Sequence, residues 1–291
     1  MIDLHMHTVY SDGDKAVEEI LKLCEEKQLE YISITDHNNC MQYKDVAFSK
    51  NIFSGKVIKG VELQGSVLNK CIEILAYDYD IDILSEWINT YFSEEKLRER
   101  RNNQKVRFLA ICDKNGLKYD ESKIIYPKKL TAFIERSIYD ELIRYEENCE
   151  KLGEYAKQFG LFYRKCLTNI ESPFYMNYAI DYPTYEEIID SIHMARGKAF
   201  LAHPFEYKFN NTLGFMDEIR KIRELDGIEC YHPSAEEDNR INILKEYANK
   251  NNLYISGGSD YHGKPKPDIE IGSGKGSLQI PKNIIEKWHR D

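Results

Sequence analysis

With 291 residues, 42% of them apolar, the chain can bury one large core or one core plus a smaller domain, and no apolar run approaches the roughly 18 residues of a membrane span. Its 49 acidic side chains outnumber 40 basic ones. The net charge of -9 argues against a long duplex-DNA footprint, which needs a basic face, but suits a phosphorylated small molecule or the end of a short nucleic acid.

The chain opens in a strand-like run at residues 2–4 that leads straight into His5-Met6-His7. That start leaves no room for a signal peptide and points to a cytoplasmic location. The period of two in a strand sends His5 and His7 to one side, so both imidazoles can reach a single cation. Asp12 and an amphipathic helix over 15–26 follow. A second run, 32–34, ends at Asp36-His37; a third, 57–61, ends at Glu62; a fourth, 72–75, carries Glu73. From 83 to 182 the alternation stops, and the sequence reads as helices rich in Glu, Lys, Arg and Tyr. A helix over 185–195 then restores it, leading into the strand 199–202 and His203-Pro204. The run 228–230 precedes Tyr231-His232-Pro233, and the run 254–256 precedes Asp260-Tyr261-His262. Seven such βα units predict an α/β fold, a parallel barrel with its ligands at the carboxyl ends of the strands. The barrel would span 1–82 and 183–291, and the helical insertion 83–182 would form a lid or substrate domain. Seven dispersed cysteines with no Cys-x-x-Cys pair read as free thiols.

Imidazole and carboxylate collected from so many strand ends is the donor set of borderline cations such as zinc, manganese or iron. In order, Asp3-Leu4-His5-Met6-His7-Thr8, Ser11-Asp12-Gly13, Ile34-Thr35-Asp36-His37-Asn38, Gly60-Val61-Glu62, Leu201-Ala202-His203-Pro204 and Gly258-Ser259-Asp260-Tyr261-His262-Gly263 resemble the motifs of the PHP family, the polymerase and histidinol phosphatase superfamily. The Ser-Asp-Gly resembles its stand-alone phosphoesterase branch, which acts on nucleotides and nucleic-acid ends. Histidinol phosphatases usually carry a histidine near Asp12. The resemblance implies a distorted seven-stranded β/α barrel and two or three divalent metal ions (Mn, Zn or Fe). It implies that His5, His7, Glu62 and Asp260 hold the first ion, that Glu62 bridges to a second also bound by His203, and that Asp12, His37 and His262 hold a third. Where the branch commonly has a histidine this chain has Glu73, either an oxygen ligand favouring harder cations such as manganese or a weaker ligand that lowers occupancy.

The expected reaction is hydrolysis of a phosphate ester of a nucleotide or oligonucleotide end, with a metal-bridging hydroxide attacking phosphorus. Arg98, Arg100, Arg101 and Arg107 crowd one predicted helix of the insertion. They form either a solvated face balanced by Glu94, Glu95 and Glu99 or a grip for a substrate phosphate. Lys264, in the stiff loop after the last motif, could present an ammonium to a phosphate, and His232 could protonate the leaving alkoxide. The alternatives are a histidinol-phosphate-type or other small-molecule phosphatase, an amidohydrolase-like enzyme cleaving a C–N bond, and a non-catalytic metal-binding barrel. No obligate protein partner is evident.

Overall fold

A computed structural model describes residues 1–130 and 132–290. The chain divides into two compact units, Met1–Asn89 with Tyr182–Asp291, and Thr90–Asp181.

In the first unit the strands are β1 (Ile2–Asp3), β2 (Tyr31–Ile32), β3 (Lys56–Val57), β4 (Gly60–Val67), β5 (Lys70–Tyr77), β6 (Lys198–Leu201), β7 (Gly227–Tyr231) and β8 (Tyr254–Gly257). The expected closed barrel of seven parallel strands is not what their pairing shows. Strands β1, β2 and β3 form a parallel three-stranded sheet, and β4 to β8 form a mixed five-stranded one. The expected single strand over 57–61 is two: β3 pairs with β2, while β4 begins at Gly60 and joins the other sheet. Only Leu68 and Asn69 separate β4 from β5, too short a link for the dozen or more residues that a parallel crossover needs, so the two pair antiparallel. Both turn residues have left-handed backbone (φ 49° and 58°), the two-residue geometry whose twist matches that of a hairpin. Isolated parallel bridges, Met6 to Tyr261 and His37 to Glu62, tie the two sheets together where the strands run into the loops of the motifs.

The helix α1 (Val17–Glu26) buries Val17, Ile20, Leu21 and Cys24, a spacing that places all four on one face. They pack with Met6, Leu29, Ile32 and Ile34 into a core directly beneath the first histidine motif.

The second unit is helical, containing α3 (Glu94–Lys114), α4 (Ile134–Leu142), α5 (Glu146–Leu152) and α6 (Phe159–Phe162) around its own core of Phe108, Cys112, Ile134, Ile138, Leu142 and Phe162. The helix α2 (Ile81–Phe92) carries the chain into it, and α7 (Tyr185–Met194), α8 (Thr212–Ile222) and α9 (Arg240–Lys250) belong to the first unit. Among the described residues no helix is long and apolar enough to cross a membrane.

Candidate metal centre

The ends of the strands set the site. Past β1 the chain stays extended against the segment after β8: His7 N donates to Tyr261 O (2.9 Å) and Asp260 N to His5 O (2.8 Å). That approach requires Gly258, since a Cβ there would lie 2.3 Å from the His5 backbone nitrogen. In the β4–β5 hairpin Gln64 sits opposite Glu73, and Glu62 lies two residues from Gln64, so Glu62 and Glu73 share a face. His203 leaves the end of β6 with φ 27°, and Asp260 has φ 55°. Left-handed backbone at non-glycine residues costs on the order of 1 kcal/mol each, and here it aims two side chains at the cluster.

All nine predicted ligands come together, with Glu62 at the centre. Its Oε2 lies 3.2 Å from His5 Nε2, 3.3 Å from His7 Nε2 and 3.3 Å from His37 Nδ1, and its Oε1 lies 2.9 Å from His203 Nε2. Glu73 reaches the same place, 3.2 Å from His203 Nε2 and 3.7 Å from His37 Nδ1. Asp260 Oδ1 lies 3.5 Å from His5 Nε2 and 3.4 Å from His7 Nε2. Asp12 stands 3.2 Å from His262 Nε2, 3.7 Å from His37 Nε2 and 3.6 Å from His7 Nδ1. Among the described residues four groups have donors close enough for one cation: His7, Asp12, His37 and His262; His5, His7 and Asp260; His37, Glu62 and Glu73; and Glu206, His232 and Asp260.

These residues fit metal ions better than they fit each other. Glu229 holds the Nδ1 proton of His5 (2.9 Å), so in the neutral ring Nε2 carries the lone pair, yet it lies 3.1 Å from His7 Nε2. His37 Nδ1 is buried and makes no hydrogen bond among the described residues, although a Glu62 oxygen is within 3.3 Å. Lone pairs that converge without protons between them are what ligands around a common cation look like. Without cations, protons must screen the cluster. Burial disfavours the charged form of His7, but hydrogen bonds to Asp260 and Glu62 outweigh it and raise its pKa to about 9. Burial likewise opposes charge on His5, where Glu62, Glu229 and Asp260 prevail and push the pKa well up. The converse holds for Glu62: burial raises it, but His5 and His37 hold it well below the usual carboxylate range.

Several residues that the sequence reading did not assign support this cluster. Glu229, fully buried in β7, accepts from His5 Nδ1 and from the backbone N–H of His203 (2.8 Å), fixing the tautomer of one ligand and the position of another. A carboxylate in the middle of the apolar run Ile228-Glu229-Cys230 was the available signal. Asp3, also fully buried, accepts from the backbone of His5, Ser259 and Gly272, locking the first motif to the last. Asp36 spends its oxygens on Thr8 N (2.8 Å), Thr8 Oγ1 (2.6 Å) and Ser11 Oγ (2.6 Å), which fixes the loop that presents Asp12.

His232 is buried beside the cluster, its Nε2 3.3 Å from Asp260 Oδ2 and 3.8 Å from Glu206 Oε2. The backbone N–H of Ser234 donates to its Nδ1 (3.0 Å). A backbone amide can only donate, so in the neutral ring the proton sits on Nε2, facing Asp260. Lys266 also contacts Asp260 Oδ2, while Lys264 is exposed. The four arginines have partners inside the helical unit: Arg98 pairs with Glu94, Arg100 donates to Tyr91 O, Arg101 to Pro127 O, and Arg107 grips Asp181 with two nitrogens (2.9 and 2.5 Å).

The sequence matches the PHP domain model over residues 3–255. It is 25% identical to the 5′-3′ exoribonuclease Rnm of Escherichia coli, over 98% of this chain and 92% of that protein. It is 24% identical to a 5′-3′ exoribonuclease of Haemophilus influenzae, over 99% of this chain and 98% of that protein. In structure it resembles an amidohydrolase from Chromobacterium violaceum solved with sulfate and no metal, with a TM-score of 0.66 and 20% identity, covering 98% of this chain and 94% of that one. A Bifidobacterium adolescentis protein assigned to the metal-dependent phosphoesterases aligns with a TM-score of 0.65 and 20% identity, over 98% and 94% of the two chains.

Proposed function

The chain belongs to the PHP domain family, and from that premise we propose that it is a metal-dependent phosphoesterase that removes nucleotides from the 5′ end of single-stranded RNA. The observation that carries the reading is the convergence of four imidazoles and Glu73 on the Glu62 carboxylate. The activity of the full-length relatives supplies the substrate class.

His5, His7, Glu62 and Asp260 would hold one ion, Glu62, Glu73 and His203 a second, and Asp12, His37 and His262 a third. When bound, such ions supply a water acidified to a pKa of roughly 7 and offset the charge of the phosphate oxygens. The chain's own groups do the rest. Glu229 keeps the Nε2 lone pair of His5 free for ligation, and Asp3 and Asp36 hold the motif loops in place. His232 Nε2–H points into the site beside Asp260 as a fixed donor for a phosphate or leaving-group oxygen. Its Nδ1 is committed to the Ser234 amide, so giving up Nε2–H would leave an imidazolate. A neutral imidazole acting as a hydrogen-bond donor is an established catalytic device. Protonation of the leaving oxygen therefore falls to another group, such as a water or Lys266.

The test is a short 5′-phosphorylated RNA labelled at its 3′ end, incubated with the manganese-loaded protein beside aryl phosphate and histidinol phosphate. The reading expects a ladder shortened stepwise from the 5′ end and mononucleotide product. Turnover of the small esters with the RNA left intact would refute it.

A further inference from the structure

We propose that the cleft opening beside Asp260 is the seat for the nucleotides on the 3′ side of the scissile bond, so that it selects a strand over a mononucleotide. This rests on the phosphoesterase reading above and names the part of the chain that recognises the rest of the substrate.

The cleft holds about 920 Å³, at the upper end of small-molecule sites and larger than one phosphate needs. It lies wholly in the first unit, and His232, Asp260 and Lys266 line its inner end, so it is continuous with the metal centre. Away from that end the wall changes character. Phe205 lies under the Arg240 guanidinium (5.2 Å to the ring centroid), and Arg240 is pinned by Ser234 O (3.0 Å) and Asp238 (3.0 Å). A guanidinium fixed over an aromatic ring makes a flat platform of the kind on which unpaired bases stack. Lys208 and Lys275 flank it, both exposed, on the loops after β6 and after the last motif. In a chain of net charge -9, ammonium groups beside a stacking platform and a phosphate-cleaving centre have the chemistry of a single-strand track, in which aromatic and guanidinium faces take bases and lysines take phosphates. Sequence tolerance follows from the stacking, since every base has a π face.

The experiment compares the wild type with Lys208→Asn/Lys275→Gln and, separately, Phe205→Ala, all manganese-loaded. Asn suits position 208 because its φ is 54°. Each is assayed for kcat and KM on a short 5′-phosphorylated RNA and on an aryl phosphate, at several salt concentrations. The proposal expects KM for the RNA to rise about tenfold in each variant, the scale of one lost base stack or pair of phosphate contacts, with the aryl ester unchanged. It also expects the salt dependence of RNA binding to flatten by about 1.4 in log–log slope for the double lysine variant. If the wild type degrades RNA but neither KM nor salt slope moves in either variant, the cleft assignment is overturned while the exonuclease reading stands. If the wild type turns over only small esters, both fall.

Discussion

Replacing Glu229 by Gln changes one atom and tests whether the buried carboxylate in β7 prepares His5 for metal binding. In the wild type one Glu229 oxygen accepts from the His203 backbone N–H at 2.8 Å and the other from His5 Nδ1 at 2.9 Å. The backbone donor cannot reverse, so the carbonyl oxygen of Gln would stay with His203 and its NH2 would face His5. That forces His5 to accept at Nδ1 and to carry its proton on Nε2, the atom that lies 3.2 Å from Glu62 and 3.1 Å from His7 Nε2. The lone pair meant for a cation is then occupied. Outer partners of this kind contribute about 10- to 100-fold in metal affinity, or about 1.4–2.7 kcal/mol. Volume is preserved and no buried donor is stranded, so the metal-free protein loses only the carboxylate's support for charged His5. Glu229→Ala, by contrast, leaves two buried donors unpaired and should cost about 1–3 kcal/mol for each. Manganese affinity measured by chelator competition, beside melting curves of the metal-free proteins, separates the two effects. A Gln variant that binds manganese as tightly as the wild type would refute the tautomer argument.

Asp260→Asn and His7→Ala should each lower hydrolysis by on the order of a thousandfold, about 4 kcal/mol of barrier, while circular dichroism shows the fold intact; wild-type rates in either would mean the site is misplaced. Glu73→His should shift the metal taken up from a mixed solution from manganese toward zinc or iron, read by elemental analysis, and an unchanged profile would show that Glu73 is not a ligand. Because hydrogen bonds to Asp260 and Glu62 raise His7 to about 9, the metal-free chain carries this proton at neutral pH. Adding manganese near pH 7.5 should therefore release protons, fewer as pH rises past about 9, and a weakly buffered titration with no acidification would contradict this. Arg107→Ala should destabilise the helical unit by about 1–3 kcal/mol, since Asp181 is nearly buried and loses a two-pronged partner, and an unchanged denaturation midpoint would count against that.

Much of the centre was legible in the sequence because each ligand is a polar side chain placed just after an apolar run, and the strand period fixes which side it takes. His5 and His7 share a face for that reason alone, whereas the antiparallel β4–β5 hairpin emerges only with the folded strand ends, which leave a two-residue link where the sequence pattern suggested parallel strands. The pattern does not say which strands are neighbours. The run at 57–61 was divided between two sheets, because pairing partners are chosen by long-range backbone contacts and not by local composition. Glu229 and Asp3 were not assigned roles from the sequence, although the carboxylate inside the run 228–230 was a signal. A carboxylate inside an apolar strand is chemically ambiguous until the fold shows which donors surround it. The arginines of α3 show the same limit from the other side: their charge left a solvated face or a phosphate grip open, and the folded helical unit supplies Glu94, Asp181 and two backbone carbonyls as partners. Sequence thus determined which atoms are available to bind metal, since donor chemistry resides in single side chains. Only the tertiary structure decided which lone pairs are left without protons, because that depends on the hydrogen bonds each donor makes to residues distant in the chain.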